Sequence, residues 1–321
     1  MNLENNIIWS ATDGSQGMIS QANGLASELS SEIIEIKTDL IFPWNKLQPG
    51  ILPPFKWIFK NNIPNDHLPK IFISCGRKSV YLSLYLKKKY SKIISIHIQN
   101  PRTSFKNFNF IVAPNHDQIK GSNIINSIGA LHHFNLNNNQ SDKDFLNIKS
   151  SNLVTCLIGG ENQHYKFGAQ ETNNLCNNLL AMIKQNPSLN LLVITSRRTS
   201  NSIKNILDYN LKDFAKIWSG EGVNPYSFAI KNSSYFILTS DSTSMISESA
   251  ISGKPIYIFQ LPFKRISKRL ENFHNEFKKL NITREFNDIK KLEIWDYKPL
   301  NETKRIAGII KKRIIEEIYE P

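Results

Sequence analysis

The chain has few cysteines, no long apolar run and no basic leader, and each absence excludes a class of protein. Its three cysteines, Cys75, Cys156 and Cys176, form no Cys-x-x-Cys pair, which argues against a disulfide scaffold. Cys75 and Cys156 lie in apolar strand-like runs, as reduced buried thiols do. No apolar run is long enough to span a bilayer, and no basic region followed by an apolar stretch marks a secretory signal. We therefore expect a cytoplasmic protein, with peripheral attachment at the inner face of the membrane left open.

The best-known nucleotide, nucleophile and metal motifs are also absent. There is no Gly-x-x-x-x-Gly-Lys-Ser/Thr loop, no Gly-x-Gly-x-x-Gly and no Gly-x-Ser-x-Gly. Asp142-Lys-Asp144 imitates a metal motif but lies in a polar stretch, and His132-His133 lacks a third ligand at metal spacing. We therefore expect no metal site and no resident cofactor.

Acidic residues are outnumbered by basic ones. Lys and Arg total 40 against 27 Asp and Glu, giving a formal charge of +13 and a pI of about 9.5. Such a charge favours an anionic partner. Asn, Ile and Lys are all plentiful, however, so part of the excess is compositional bias, and runs such as Lys87–Lys89 are typical of solvated helix faces. Without a helix-turn-helix, zinc finger or RNP motif, nucleic acid is not the expected partner.

Apolar segments of strand length alternate with helix-compatible segments along the chain. Most of these runs are rich in Ile, Val and Phe without polar alternation, as in parallel strands covered on both faces. This pattern predicts an α/β protein built from two Rossmann-like, doubly wound domains. The predicted strands are Ile7–Ala11, Ile33–Ile36, Ile71–Cys75, Ile93–Ile98, Phe110–Ala113, Leu153–Ile158, Leu191–Thr195, Phe214–Trp218, Phe236–Thr239 and Ile256–Phe259.

A polar, strand-free stretch at Asn135–Ser151 predicts the linker between the two domains. We place the first domain at residues 1–140 and the second at 151–298. Residues 299–321 carry apolar positions at helical spacing, including Ile306, Ile310 and Ile314. They predict a long C-terminal helix that packs across both domains.

In the first half, polar and glycine residues follow several predicted strands, where open α/β sheets bind ligands. Glycines permit a tight turn and a close approach to a ligand. Asp13 sits in the first such turn, where a plain turn or capping role competes with a catalytic one. The candidates are Asp13, Gly14, Gly17, Arg77, Arg102, His116 and Asp117.

The second half contains the most informative segment, Phe236–Ile258. It predicts a buried strand, a loop of small hydroxyl residues, a short helix, a glycine stop and another buried strand. Hydroxyl and N–H donors at a helix start suit a diphosphate, and Glu248 could accept hydrogen bonds from sugar hydroxyls. An ordinary βαβ unit with serine caps explains the segment equally well. The residues offered by this half are Gly159, Gly160, Arg197, Asn224, Tyr226, Asp241, Ser242, Ser244, Met245 and Glu248.

The ordered motifs in these loops resemble one family. Taken together, they are similar to the bacterial branch of the plant elongated-mitochondria-type mitochondrial fission proteins, and the resemblance runs from about Ile7 to Pro262. The motifs are Asp13-Gly14 with Gly17, Gly76-Arg77-Lys78-Ser79, Gln99-Asn100-Pro101-Arg102, Pro114-Asn115-His116-Asp117, Thr195-Ser196-Arg197-Arg198-Thr199, Asn224-Pro225-Tyr226 and Thr239-Ser240-Asp241-Ser242-Thr243-Ser244-Met245-Ile246-Ser247-Glu248.

Bacterial members of that family are usually described as glycosyltransferases of the GT-B type. The resemblance implies a donor side in the second domain, with Gly159-Gly160 near the diphosphate and Glu248 against the ribose. It implies acceptor contacts and a base in the first domain. Asp13 is the first candidate for that base and His116 and Asp117 are the alternatives, since the glycine loop lacks the histidine that some lipid-linked sugar transferases use.

We therefore expect transfer of a sugar from a nucleoside-diphosphate donor to an acceptor hydroxyl. Aromatic and basic residues alternate in the segment Leu40–Lys60, which would suit a lipid-linked acceptor at a membrane surface. The other interpretation is that these aromatics simply cover the first sheet. A non-catalytic adaptor and a nucleotide-sugar hydrolase or epimerase are the alternatives, because a fold does not determine a function.

Overall fold

The computed structural model describes residues 6–64, 68–134, 151–287 and 291–316, and the chain divides into two compact units. Residues 1–133 with 301–321 form the first unit, and residues 134–300 form the second. The predicted linker, apart from Ser151, and the Asp142-Lys-Asp144 motif lie outside the described residues.

The first unit contains a six-stranded parallel sheet in the order β2-β1-β3-β4-β5-β6. Every residue of β1, β3, β4 and β5 is buried, which explains why apolar residues predominate on both faces of these strands. The strands are β1 (Ile8–Thr12), β2 (Ile33–Lys37), β3 (Ile71–Cys75), β4 (Ile94–Ile98), β5 (Phe110–Pro114) and β6 (Ile124–Ser127).

Helices cover both faces of this sheet. The helix α1 (Gln16–Leu29) follows β1, and α2 (Arg77–Lys89) follows β3. One core cluster joins Leu25 of α1 to the sheet residue Ile73, and a second joins Leu82 of α2 to Trp9. The two clusters lie on opposite faces because residues of one strand alternate between faces.

The C-terminal helix α8 (Glu302–Ile314) belongs to the first unit, where it packs against α1. Ile306, Ala307 and Ile310 enter the core cluster of that unit. The hydroxyl of Thr303 also bonds both backbone groups of His132, accepting from N–H at 3.0 Å and donating to C=O at 2.7 Å. The helix is shorter among the described residues than the predicted segment, and packing across both domains remains a prediction.

The second unit repeats the design with the strand order β12-β11-β10-β7-β8-β9, again all parallel. Its strands are β7 (Leu153–Ile158), β8 (Asn190–Thr195), β9 (Ala215–Trp218), β10 (Tyr235–Thr239), β11 (Ile256–Phe259) and β12 (Thr283–Glu285). Its helices are α3 (Ala169–Gln185), α4 (Asn201–Leu211), α5 (Tyr226–Asn232), α6 (Thr243–Ser249) and α7 (Lys268–Lys279).

The structure confirms the predicted α/β architecture and the ten predicted strands within a residue or two at their ends. It adds two short edge strands, β6 and β12, which the sequence did not reveal. Both are short and carry polar residues, as in Thr283-Arg284-Glu285, so neither stands out as an apolar run.

Candidate functional site

The second sheet reverses its winding between the neighbouring strands β7 and β10. From β7 the chain passes through α3 to β8 on one side, and from β10 it passes through α6 to β11 on the other. Loops that diverge in this way leave a crevice at the carboxyl ends of the strands, where open α/β sheets bind ligands. The loops after β7 and β10 carry Gly159-Gly160 and Ser240-Asp241-Ser242, so topology brings these predicted residues together.

The two glycines are required by close packing between these loops. A Cβ on Gly159 would lie 2.1 Å from Oδ2 of Asp241, and one on Gly160 would lie 2.2 Å from the backbone oxygen of Arg198. The N–H of Gly159 donates to Thr239 Oγ1 at 2.9 Å, and that of Gly160 donates to Asp241 Oδ2 at 3.0 Å. These two N–H groups therefore bind β10 and the loop that follows it, and the expected position of Gly159 and Gly160 near a diphosphate stays a prediction.

The Asp241 carboxylate lies at the centre of the hydrogen-bond network of the site, and its side chain is fully buried. Its Oδ1 accepts from Thr239 Oγ1 at 2.7 Å, and its Oδ2 accepts from Gly160 and from the Arg198 guanidinium at 2.6 Å. A buried carboxylate needs this many partners to offset the loss of hydration. Asp241 thus joins the loops after β7, β8 and β10 by hydrogen bonds within the protein.

The two adjacent arginines have different roles, which their sequence could not distinguish. Arg198 binds Asp241 and donates from Nη1 to the Gly160 carbonyl at 3.1 Å. Arg197 is exposed, and among the described residues no hydrogen bond or ion pair engages its side chain. Its donors are therefore accessible, and its binding of an anion stays a prediction, whereas Arg198 holds the loop. Ser196 and Thr199 secure the same loop by donating to the Gly159 carbonyl.

The helix α6 is short, as its segment predicted, and covers seven residues before a 3-10 turn at Ala250–Ser252. The Ser242 hydroxyl caps it by accepting from the Met245 N–H at 3.5 Å. Ser242, Ser244 and Met245 are half-buried, so they are accessible in part. A helix this short contributes little dipole, so any attraction for an anion here must rest mainly on side chains.

Glu248 lies on α6 and is 7% exposed. The Tyr226 hydroxyl donates to its Oε2 at 2.5 Å. Burial, together with the negative charge of Glu248, holds the pKa of Tyr226 well above its usual value, so the phenol stays protonated as a donor. Tyr226 also contacts the Phe134 ring, with centroids 5.5 Å apart, and its N–H donates to Oδ1 of the exposed Asn224 at 3.0 Å. The Asn-Pro-Tyr motif therefore positions the Glu248 carboxylate.

A cavity of about 580 Å³ lies beside these loops in the second unit, and no motif in the sequence indicated it. The loop after β11 lines one side and α7 lines another. His274 on α7 donates from Nε2 to the Ser240 carbonyl at 2.9 Å, which ties the cavity wall to the β10 loop. Burial lowers the pKa of His274, so this imidazole is neutral. The cavity is also lined by the polar side chains of Gln260, Glu271, Asn272 and Asn275.

In the first unit, Asp13 follows β1, next to the corresponding reversal between β1 and β3. Its Oδ1 accepts from the Ser15 N–H at 3.0 Å, which is the turn role considered from the sequence. The side chain is only half-buried, so this bond leaves the carboxylate accessible. Gly14 has φ of +90°, a conformation that favours glycine, and the Gly17 carbonyl accepts from Gln21 at 3.0 Å.

The other first-unit candidates are less available to a ligand than the sequence suggested. Arg77 points its guanidinium at the backbone carbonyls of Leu47 and Asn45. His116 and Asp117 form a pair 3.8 Å apart whose side chains are 1% and 5% exposed. Arg102, by contrast, is exposed, with φ of +53°. Among the four groups only Arg102 presents its charge freely at the surface.

In the part of the chain that the structure describes, no group of three or more His, Cys, Asp or Glu side chains is arranged to hold a metal ion. No helix among those residues is long and apolar enough to cross a membrane.

The architecture places this chain in a class of two-domain α/β proteins with the GT-B fold. It superimposes on a glycosyltransferase of kitacinnamycin with a TM-score of 0.56 at 10% identity, covering 97% of this chain and 99% of the other. It also matches MnaA of S. aureus, solved with UDP, with a TM-score of 0.53 at 13% identity, covering 97% and 88%. At these identities the likeness establishes the fold alone.

The chain belongs to the mitochondrial fission ELM1 family, whose model matches residues 16–314. This confirms the resemblance seen in the motifs. An uncharacterised protein of Rickettsia prowazekii is 30% identical over 95% of this chain and 97% of its own length. The mitochondrial fission protein ELM1 of Arabidopsis thaliana is 24% identical over 77% of this chain and 64% of its own length.

Proposed function

We propose that this protein is a glycosyltransferase that moves a sugar from a nucleoside diphosphate to an acceptor hydroxyl. The observation that carries the proposal is the Glu248 carboxylate, held by Tyr226 on the helix that leaves β10 at the sheet reversal. A buried, oriented carboxylate can accept two hydrogen bonds from the vicinal hydroxyls of a ribose. Structural neighbours of the same fold include a glycosyltransferase and a protein solved with UDP, which supports a ligand of this kind.

In this proposal the diphosphate lies near the hydroxyls of Ser242 and Ser244 and the exposed guanidinium of Arg197. A guanidinium can bind two phosphate oxygens at once and remains charged at any working pH. The Asp241–Arg198 pair does not touch the donor but fixes the loops around it. Preformed donors of this sort stabilise the charge that develops as the sugar–phosphate bond breaks.

The chemical step forms one bond and breaks one. The acceptor oxygen attacks the anomeric carbon, the bond from that carbon to the diphosphate breaks, and the diphosphate leaves with the electron pair. Asp13 is the proposed base that takes the acceptor proton, since its carboxylate is accessible whereas His116 and Asp117 are buried. We propose a hydroxyl on a lipid-linked or envelope glycan as the acceptor.

A thermal-shift screen against nucleoside diphosphates and their sugars tests the binding step. A ligand selective for the folded state raises the free energy of unfolding by about 2.7 kcal/mol at a hundredfold excess over its Kd. The Asp13→Asn variant then tests the base: turnover should fall by roughly 10²–10⁴ with donor binding retained. Unchanged turnover would contradict a catalytic role for Asp13 and leave it as a turn residue.

Two alternatives make different predictions in the same assays. An epimerase or hydrolase, which the likeness to epimerase structures favours, would convert the nucleotide sugar without any acceptor, as NMR of the sugar would reveal. An adaptor, which membership in the fission-protein family favours, would bind no nucleotide at all. Product formation that requires an added acceptor would support the transferase and contradict both.

A further inference from the structure

The segment from Leu40 to Lys60, here called the aromatic loop, exposes large apolar side chains although it is firmly folded. Phe42 is 76% exposed, Ile51 62%, Phe55 43% and Trp57 61%. The sequence left open whether these aromatics cover the first sheet or face outward. The structure divides them: Trp44 is buried, and Trp57 is not.

The base of the aromatic loop is fixed by packing and hydrogen bonds. Leu40, Trp44 and Ile58 form a buried cluster with Tyr81 of α2, and the Trp44 indole N–H donates to the Pro53 carbonyl at 3.1 Å. The Tyr81 hydroxyl donates to the Gln48 carbonyl at 2.9 Å, and Arg77 binds the backbone nearby. The guanidinium that the sequence assigned to an anion therefore holds this loop in place.

The exposed tip of the aromatic loop is a pair of stacked rings. Phe55 and Trp57 lie parallel with centroids 5.7 Å apart, and Trp57 meets Trp44 edge to face at 5.0 Å. Because Trp44 already fills the interior beneath it, Trp57 cannot turn inward without displacing a buried indole. The apolar tip is thus a fixed surface feature, and apolar surface fixed outward marks a site of interaction.

The charge around the tip identifies the partner. The aromatic loop has three basic residues, Lys46, Lys56 and Lys60, all exposed, and no acidic residue. The adjacent Asp39 is ionised, because its hydrogen bond with Lys78 is the main cause that lowers its pKa to about 2. Its negative charge is compensated by Lys78 at 2.7 Å and Lys60 at 3.5 Å. Aromatic rings between lysines suit the interface of a bilayer with anionic headgroups.

We propose that the aromatic loop docks the protein on anionic phospholipid bilayers, with Phe55 and Trp57 inserted among the headgroups and Lys46 and Lys56 against the phosphates. Peripheral binding of this kind gains from buried apolar area and from electrostatic attraction together. The proposal does not depend on catalysis, so it stands or falls separately from the glycosyltransferase assignment.

Sedimentation of the full chain with vesicles tests the docking. Vesicles of phosphatidylcholine and phosphatidylglycerol should pellet the protein, vesicles of phosphatidylcholine alone should pellet much less, and high salt should reduce the pelleted fraction. The Phe55→Ser/Trp57→Ser variant should bind at least about tenfold more weakly. Tyr209→Ser, which removes an 81% exposed ring of the second unit, should bind like the wild type.

The lysines have a matched control as well. Lys46→Gln/Lys56→Gln should weaken binding to anionic vesicles by roughly twentyfold, since each lysine near such a surface contributes about fivefold. Lys212→Gln/Lys216→Gln removes the same charge from exposed positions of the second unit and should have a smaller effect. Equal losses from both pairs would mean that net charge, rather than this loop, attracts the lipid, and would overturn the proposal.

Tryptophan fluorescence gives an independent measure of insertion. Among the five tryptophans Trp57 is the exposed one, so a blue shift of the emission maximum on adding vesicles reports on its entry into an apolar layer. A protein that stays in the supernatant with anionic vesicles at low salt would contradict docking. So would a dimer in solution that the Phe55→Ser/Trp57→Ser change dissociates, because it would assign this surface to a second copy of the chain.

Discussion

The two units share one sheet design but differ in what lies at the reversal of the winding. In the second unit an ion pair between the buried Asp241 and the partly exposed Arg198 joins the loops after β7, β8 and β10. In the first unit Asp13 lies at the reversal and accepts from the Ser15 N–H, and a buried, uncharged pair, Ser74 Oγ with His97 Nδ1 at 2.8 Å, joins β3 to β4 within the sheet.

The charge of Asp241 explains why the loops at the reversal are organised differently in the two units. Asp241 accepts bonds from two neighbouring loops, so it holds three loops in one arrangement before any ligand arrives. Asp13 bonds only within its own turn, and Ser74 and His97 bond within the sheet. A site with preformed geometry binds without the cost of ordering its loops. We therefore infer that the second unit is the better prepared for a ligand.

The largest expected effect is a loss of stability of the first unit in acid. Burial lowers the pKa of His97 to about 3 against about 6.5 in the unfolded chain, so His97 is neutral when folded. Its contribution to stability is complete above pH 6.5 and is lost as pH falls towards 3, because the unfolded chain binds the extra proton. The free energy of unfolding should fall by up to about 5 kcal/mol over this range, or about 1.4 kcal/mol per pH unit.

His97→Gln isolates this contribution. The variant should be less stable at pH 7, yet its unfolding free energy should fall less steeply with acid between pH 6 and pH 4. Because two units can unfold separately, hydrogen exchange in β4 is the appropriate measurement. An identical slope in wild type and variant would show that His97 is not the group that titrates.

The second prediction compares the two aspartates directly. Asp241→Asn leaves Arg198 without its buried counter-charge and should lower the stability of the second unit by about 2–4 kcal/mol, with Arg198 partly compensated by water because its side chain is 42% exposed. Asp13→Asn keeps an oxygen for the Ser15 N–H and should change stability by less than about 0.5 kcal/mol. Urea unfolding measures both, and equal losses would remove the proposed asymmetry.

The third prediction concerns Glu248 as the ribose acceptor. Glu248→Ala should weaken nucleoside-diphosphate binding by roughly 1–3 kcal/mol, because sugar hydroxyls would lose a charged acceptor. Isothermal calorimetry measures the loss, and a deoxyribose analogue provides the control. If Glu248 binds the ribose, the variant should no longer distinguish the two sugars. Equal affinity of wild type and variant would exclude Glu248 from the site.

The smallest expected effect is at Tyr226. Tyr226→Phe removes the hydroxyl that fixes the Glu248 carboxylate while keeping the ring against Phe134. Nucleotide affinity should fall by about 0.5–1.5 kcal/mol, less than in Glu248→Ala. Tighter binding by the Phe variant would show that Tyr226 competes with the ligand for the carboxylate instead of orienting it.

Particular residues show how much of the fold and of the candidate site could be predicted from the sequence. Continuous apolar runs revealed the central strands, and glycines after strands revealed the loops, whereas the ligand roles of Gly159, Asp241 and Glu248 stay predictions. The same reasoning misjudged how some candidates are used. It could not distinguish Arg197 from Arg198, and it missed the cavity beside His274. These depend on side-chain direction, which no spacing along the chain encodes.

The sequence by itself determined the α/β alternation, the two units and the family, because strand burial and loop chemistry are local and repeat along the chain. Only the tertiary structure decided what each polar group binds. The N–H of Gly160 donates to Asp241, 81 positions away. The guanidinium of Arg77 donates to the backbone of the aromatic loop, about 30 positions away, and not to an anion. Buried polar groups must be paired, and in a parallel sheet the partner comes from whichever loop the fold brings alongside.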